Sequence, residues 1–236
     1  MRPVLGIARA GSPIVAAFVL VTAGLWAVLL WWLGAWGAIP GAVVSAVTLW
    51  CIWFFRDPER RGPPDADAIL SPADGVVCHV GRVPPPVEYG VDPGAAGQMT
   101  RVSVFMNVFN VHVNRAPSVG RITRVVYRAG RFFNASLDKA SEHNERCALV
   151  MERADGSPMV VVQIAGLVAR RIVCRAGEGA VLARGERFGM IRFGSRVEVY
   201  LPPGAAPAVG VGDRVRAGET VIACGVAAGG TKGDGA

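Results

Sequence analysis

Charged residues are absent from one long stretch of this 236-residue chain. Residues 13–55 contain no Asp, Glu, Lys, Arg or His, although they contain all six tryptophans. Across the whole chain, 52% of the residues are hydrophobic and 18% are charged. This composition excludes a disordered protein, because disordered chains are rich in charge and poor in apolar residues. The concentration of apolar residues at one end also argues against a purely soluble protein.

Histidine and cysteine are scarce and scattered. His79, His112 and His143 lie far apart, and the five cysteines include no C-x-x-C pair. The sequence therefore predicts no metal site and no disulfide framework. Residues 56–236 contain no tryptophan and no basic run interleaved with aromatic residues, so nucleic acid is not a predicted partner. The net charge of +7 suits a protein close to an anionic lipid surface.

Two apolar runs predict a helical membrane hairpin over residues 13–55. Ile14–Leu33 and Ala38–Phe55 are each close to the roughly 20 residues that cross a bilayer core, and Gly34–Gly37 separates them as an uncharged turn. A cleaved signal peptide would have a shorter apolar region. Arginines flank the hairpin on both sides: Arg2, Arg9, Arg56, Arg60 and Arg61. By the positive-inside rule, both ends of the hairpin then lie in the cytoplasm, at a cell membrane.

The sequence divides into a basic N-terminal segment (1–12), the hairpin (13–55) and a folded domain (56–236). In the folded domain, short apolar runs alternate with Gly/Pro turns, which predicts a mainly β fold of flattened-barrel or sandwich type with few short helices. The predicted strands are Ala68–Leu70, Val76–Val80, Arg101–Val113, Arg121–Ala129, Arg146–Arg153, Met159–Ile164 and Leu167–Cys174. The polar segment Phe132–Glu145 is consistent with one short helix. A strand after Ser195 should turn Val197 inward and Glu198 and Tyr200 outward.

Two short motifs suggest chemistry. Ser71–Gly75 reads Ser-Pro-Ala-Asp-Gly, which is typical of a turn. Gly194-Ser195 precedes the alternating strand and also suits a turn. However, Gly194 has no side chain to shield its carbonyl carbon, so the neighbouring Ser195 hydroxyl can attack it, as self-cleavage at serine requires.

These motifs, taken in order, resemble the phosphatidylserine decarboxylase family in its short form of about 230 residues. The resemblance covers nearly the whole chain. It is carried by Phe54-Phe55-Arg56-Asp57-Pro58, the Ser71–Gly75 turn, Asn107–Pro117, Asp138–Arg146 and Phe193-Gly194-Ser195.

The resemblance implies a proenzyme that cuts itself between Gly194 and Ser195. It implies a heterodimer of a β chain, residues 1–194, and an α chain, residues 195–236, which together form the catalytic domain after the hairpin. Ser195 would become a covalent pyruvoyl group, the only cofactor implied, with neither metal nor pyridoxal phosphate. This group would form a Schiff base with phosphatidylserine and release CO₂, giving phosphatidylethanolamine for phospholipid biosynthesis.

The same resemblance assigns roles to His112 and Asp74. His112 would be the base that activates the Ser195 hydroxyl, and Asp74 would orient the His112 ring. The better-known members have a second histidine three residues later, where this chain has Arg115. Either His112 serves both maturation and decarboxylation, or another group takes one of the two roles. Arginines near the cleavage site, including Arg192 and Arg196, are possible headgroup partners, and the sequence singles out none of them.

The residues alone leave other interpretations of the function open. The substrate of a pyruvoyl enzyme could be another amine-bearing carboxylate, although the hairpin favours a lipid. Ser71–Gly75 together with Val211–Glu219 also resembles carrier modules of lipoyl or biotinyl type, in which a barrel carries a group and catalyses nothing. Such modules carry the group on a lysine side chain at a hairpin. The two lysines here, Lys139 and Lys232, lie in a polar segment and in the Gly-rich tail.

Overall fold

The computed structural model describes residues 3, 6–92, 94, 97–131, 143–166, 172–192 and 194–224. It divides the chain into two units, Met1–Glu59 and Arg60–Ala236. The predicted helix within Phe132–Glu145 falls mostly on residues 132–142, outside the described residues. The first part of the strand predicted at Leu167–Cys174 and both lysines also lie outside them.

The N-terminal unit is a pair of apolar helices. Helix α1 spans Ser12–Leu33, a 3₁₀ turn spans Gly34–Gly37, and helix α2 spans Ala38–Phe54. Polar groups join the helices: Thr22 and Thr48 hydroxyls lie 2.6 Å apart, and Trp26 Nε1 donates to Ser45 Oγ at 2.9 Å. These pairs give an antiparallel hairpin whose apolar side chains mostly face outward, and Ser12–Phe54 is long and apolar enough to cross a membrane.

The second unit is built from short antiparallel strands, as the sequence predicts. One 3₁₀ turn, Val87–Tyr89, lies between the second and third strands. The strands are β1 Ala68–Leu70, β2 Gly75–Val83, β3 Met99–Met106, β4 Val113–Arg115, β5 Gly120–Arg128, β6 Arg146–Glu152, β7 Pro158–Ala165, β8 Ile172–Cys174, β9 Val181–Leu182, β10 Arg187–Ile191, β11 Ser195–Tyr200, β12 Ala206–Pro207, β13 Arg214–Val215 and β14 Val221–Cys224.

The described strands of this unit form three sheets. The largest has eight strands in the order β13-β2-β3-β11-β7-β6-β5-β9, and two sheets of three strands have the orders β4-β10-β8 and β1-β14-β12. Strand β11 is therefore central, with β3 on one side and β7 on the other. It carries Ser195 as its first residue, so the sheet fixes the position of that residue from both sides.

Both faces of β11 are buried, which corrects the prediction that Glu198 and Tyr200 point to solvent. Val197 faces the main core, and Glu198 and Tyr200 lie on the other face at 1% and 8% exposure. A second apolar cluster that includes Tyr89 and Val91 contains Tyr200 and covers that face. Alternation along the strand therefore predicted correctly which residues share a face, but it did not predict that both faces are buried.

The longest predicted strand is also shorter than expected. Strand β3 ends at Met106, and the chain turns before β4 starts at Val113. In the turn, Asn107 Oδ1 accepts a hydrogen bond from the Phe109 amide, and Asn110 Oδ1 accepts one from the Asn107 amide, each at 2.9 Å. Asparagine side chains that bind nearby amides in this way compete with the sheet ladder and end the strand.

Candidate active site

The Gly194-Ser195 bond lies where an irregular segment enters the central strand. Gly194 has φ +64°, in the left-handed region that glycine adopts without steric cost. A Cβ at Gly194 would meet no atom within 4 Å, so the backbone angle, and not crowding, favours glycine here. The carbonyl carbon that Ser195 would attack thus belongs to a glycine in a conformation that other residues rarely adopt.

Ser195 faces the core of the domain. It is opposite Met106 on β3 and Ala165 on β7, and residues directly opposite each other in antiparallel strands share a face. Ser195 is fully buried, and its Oγ has no hydrogen-bond partner among the described residues. A buried hydroxyl without a partner is uncommon in a folded protein and is explained by a catalytic role, by local strain or by an ordered water.

His112 lies close to this position in the fold. It is fully buried, directly precedes β4, and its carbonyl accepts a hydrogen bond from the Ile191 amide at 3.3 Å. Ile191 ends β10, four residues before Ser195 in the sequence. Asn114, two residues after His112, contacts Met106 Sδ at 3.8 Å, and Met106 is directly opposite Ser195. Because alternate residues of an extended segment share a face, this contact places His112 on the side of β4 that faces β11.

Asp74 is held by partners other than His112. Its Oδ2 accepts a hydrogen bond from Arg60 Nη2 at 2.9 Å, and its Oδ1 accepts one from the Ala217 amide at 2.7 Å. Arg60 also binds Glu219 at 2.8 Å. A carboxylate has about four acceptor positions, so two contacts do not exclude a third. The role of Asp74 in orienting His112 stays a prediction, and sequence reasoning missed its pairing with Arg60.

Arg115 occupies the place of the second histidine. Its side chain is buried, and Nη1 donates to the Gly185 carbonyl at 3.2 Å. Its backbone amide binds the carbonyl of Pro72 at 3.0 Å. These contacts join the Ser71–Gly75 turn, β4 and the loop around Gly185, which gives Arg115 a structural role.

Arg196 is not available to bind a headgroup. Although it follows Ser195 directly, its side chain is fully buried on the other face of β11. Arg196 Nε lies 3.0 Å from Glu198 Oε1, and Nη2 donates to Ser103 Oγ at 3.1 Å. This ion pair fixes the start of β11 from the face opposite Ser195.

A cleft of about 430 Å³ opens beside Asp74. Phe109, 64% exposed, lies at the tip of the turn between β3 and β4, and Arg214 and Arg216 are exposed on the neighbouring segment. The residues that line the cleft are Asp74, Gly75, Val76, Asn107, Phe109, Asn110, Arg214, Val215 and Arg216. A larger cavity, about 670 Å³, lies at the opposite end of β3 from Met106, around Thr100, and so is remote from Ser195.

Two buried tyrosines and one further histidine are other titratable groups among the described residues. Burial raises the pKa of Tyr89 and of Tyr200, so both phenols stay neutral near pH 7. His79 lies on β2 opposite Ser103, away from Ser195. Among the described residues, no group of three or more His, Cys, Asp or Glu side chains could hold a metal ion.

Comparison with known proteins decides the family. The family model for phosphatidylserine decarboxylase matches residues 47–223, which include β1 to β13, most of β14 and the Gly194-Ser195 bond. The chain belongs to the phosphatidylserine decarboxylase family. It is a decarboxylase, as the sequence motifs predicted.

Curated relatives agree over nearly the full chain. A phosphatidylserine decarboxylase proenzyme of Ruegeria pomeroyi is 52% identical over 213 residues, covering 90% of this chain and 92% of the relative. Proenzymes of the same name from Beijerinckia indica and Cereibacter sphaeroides are 52% and 53% identical, covering 94% and 91% of this chain and 90% and 88% of those proteins. These names describe the three relatives.

Proposed function

We propose that this decarboxylase is made as a proenzyme, cuts itself between Gly194 and Ser195, and acts on phosphatidylserine. The observation that carries the proposal is Ser195 itself. It is a buried serine at the start of a central strand, directly after a glycine at positive φ, and its hydroxyl has no partner within the part of the chain that the structure describes. The family match and the three named relatives support the same substrate.

In self-cleavage, Ser195 Oγ attacks the Gly194 carbonyl carbon and the amide becomes an ester. Serine is a weak nucleophile at its ordinary pKa, so a base must accept its proton. His112 is the proposed base, because it is buried and lies on the β4 face toward β11. Loss of the Ser195 Cα proton then breaks the Cβ–Oγ bond and releases Gly194 as a carboxylate.

Residue 195 would then carry a pyruvoyl group, which the surroundings of Ser195 fit. Met106 and Ala165 flank the position and the site is buried, so bulk water is excluded from the ketone. Such a group would supply a ketone that can bind the substrate amine and take up the electrons released with CO₂. The chain itself then has to bind the substrate, exclude water and supply a proton, for which His112 is again the proposed group.

The two products of the cut would stay together as a heterodimer. Strand β11 of the α chain pairs with β3 and β7 of the β chain along Ser195–Tyr200. The α chain also supplies β13 to β2 and β14 to β1, and the Ala217 amide binds Asp74. These ladders do not depend on the Gly194-Ser195 bond.

Asp74→Asn is expected to slow chain splitting while the matured fraction keeps most of its decarboxylase activity. The physical reason is that Asp74 would hold the His112 ring in the tautomer that accepts the Ser195 proton. Arg60→Gln is the matched control, since it removes the ion pair of Asp74 and leaves the carboxylate in place. Splitting followed on gels over time decides the point. Equal slowing in both variants would mean that Asp74 acts through the ion pair alone.

The membrane hairpin supports a lipid substrate presented at the cytoplasmic face of the cell membrane. The charge-free span is flanked by arginines on both sides, and its side chains face outward. The cleft beside Asp74 has two exposed guanidiniums, which suit the phosphate of a lipid headgroup. We infer that this cleft receives the headgroup.

Exchange of both Arg214 and Arg216 for Gln is therefore expected to raise the KM for phosphatidylserine in vesicles about tenfold, with kcat little changed, because two weak ionic contacts are lost. The measurement is the release of labelled CO₂ from carboxyl-labelled phosphatidylserine. Arg82→Gln, an exposed arginine on β2 outside this cleft, is the control. Equal KM values in all three proteins would rule out the cleft. Release from free serine but not from the lipid would rule out the lipid substrate.

A further inference from the structure

Two amide side chains meet between the eight-stranded sheet and the sheet that contains β4. Gln163 on β7 and Asn114 on β4 are both fully buried. Gln163 Nε2 donates to Asn114 Oδ1 at 2.8 Å, and Asn114 Nδ2 lies 3.5 Å from the Pro72 carbonyl. The pair therefore links two sheets through polar groups next to the main apolar cluster.

The orientation of the Gln163 amide is fixed. Its Nε2 is committed to Asn114, and a Cβ at Gly189 of β10 would lie only 2.8 Å from that nitrogen. Glycine at 189 therefore leaves the room that the amide occupies. The oxygen of the same amide, Oε1, is buried and has no hydrogen-bond partner among the described residues.

This oxygen lies on the same sheet face as Ser195. Ser195 is opposite Ala165, and Gln163 is two residues from Ala165 on β7, so the three side chains share one face. Diagonal neighbours of this kind have Cα atoms about 7–8 Å apart, within reach of a long side chain. Ser195 Oγ, on the same face, is also buried and has no partner in the described ranges of the chain. Buried polar atoms in this situation are commonly satisfied by an ordered water.

We propose that Gln163, held in place by Asn114, binds the water that completes the conversion of Ser195 to the pyruvoyl group. This inference rests on the proposed self-cleavage. After the chain is cut, residue 195 is an enamine, with a double bond between Cα and Cβ and an amino group on Cα. A proton shift to Cβ gives a methyl group and an imine. The water oxygen then adds to Cα and the nitrogen leaves as ammonia, so one water enters, one ammonia departs and no oxidant is needed.

Gln163 suits this role because its amide oxygen accepts a hydrogen bond from water and carries no net charge. A water held by one of its hydrogens presents a lone pair toward its other neighbours. Residue 195 is such a neighbour, from the register of β7 and β11. Gln163 is thus a positioning residue for maturation, and its effect falls on the step after the cut.

The test follows the α chain of Gln163→Leu over time. Splitting of the full chain is read on gels, and borohydride is added before unfolding. Borohydride converts an imine at residue 195 to alanine and the pyruvoyl ketone to a lactyl group, which differ in mass. In the parent chain, splitting and lactyl formation should coincide. In Gln163→Leu, the chain should split, and alanine should be recovered for a period about tenfold longer or more. Val161→Ala, a buried apolar change two residues along the same strand, should behave as the parent.

Each outcome decides the inference. A lactyl group formed at the parental rate in Gln163→Leu overturns it. If neither Gln163→Leu nor Gln163→Met splits, the amide is needed before the cut, and its assignment to the later step is wrong. If the parent chain itself never splits or never yields a lactyl group, the proposed function fails, which is a separate result.

Discussion

Ser195→Ala is expected to leave a single uncut chain with no decarboxylase activity. The reason is chemical, because alanine has no oxygen to attack the Gly194 carbonyl and no leaving group for the elimination that follows. The fold should be retained, since the Ser195 hydroxyl makes no hydrogen bond with a described residue and its neighbours Met106 and Ala165 are apolar. Gel analysis of the purified protein and CO₂ release from phosphatidylserine vesicles provide the measurement.

Ser118→Ala is the matched control for this change. Ser118 is also a buried serine, but it lies in the turn before β5, and its hydroxyl donates to the Val119 carbonyl. This variant should split as the parent does. A fully processed Ser195→Ala protein would show that the chain is cut elsewhere or by another agent, and the site assigned here would be wrong.

His112→Ala is expected to slow splitting by roughly 10²–10⁴-fold, the range that a positioned base contributes. Any fraction that still matures should also release CO₂ poorly, because the same imidazole is proposed to supply the proton after decarboxylation. The two effects are separated by following splitting on gels and by measuring CO₂ release per mole of processed α chain.

Because His112 is fully buried, loss of its side chain also removes packing. His112→Gln keeps much of the volume and removes the base, so it should show the same defect in splitting. His79→Ala, on β2 opposite Ser103, serves as the control for loss of a histidine away from Ser195. Normal splitting in both His112 variants would mean that another group activates Ser195.

Much of the fold could be predicted from local sequence pattern. Strands β5, β6 and β7 begin and end within one residue of their predicted bounds, because alternating β-branched residues and Gly turns mark them directly. The end of β3 at Met106 was missed. Residues 101–113 are rich in Val and Phe, as a strand would be, and the asparagine side chains that turn the chain form contacts that periodicity does not show.

The burial of Glu198 could not be predicted for a different reason. A charged residue that alternates with valines is ordinarily on a solvated face. Here Arg196 pairs with it and the apolar cluster around Tyr89 covers the same face of the sheet. Tyr89 lies more than a hundred positions from Glu198 in the sequence, so the cover that its cluster provides leaves no local signal.

Part of the candidate site could likewise be predicted from the sequence, and part could not. Gly194, Ser195 and His112 were identified by their resemblance to a known family, and the fold places Ser195 at the start of β11 and His112 directly before β4. Asn114 and Gln163 were missed, because their contact joins two sheets across 49 positions of sequence. A polar residue within the apolar run Met159–Ile164 was the one available signal for Gln163, since such a residue needs a partner when the strand is buried.

The intact mass of the purified full-length protein shows whether this chain matures by cutting itself and changing Ser195. We expect two fragments, one that ends at Gly194 and a smaller one that begins at residue 195. The smaller fragment should be lighter by one ammonia than the same segment with an unmodified serine. A single uncut chain, or a smaller fragment that still carries serine at its amino terminus, would contradict the account.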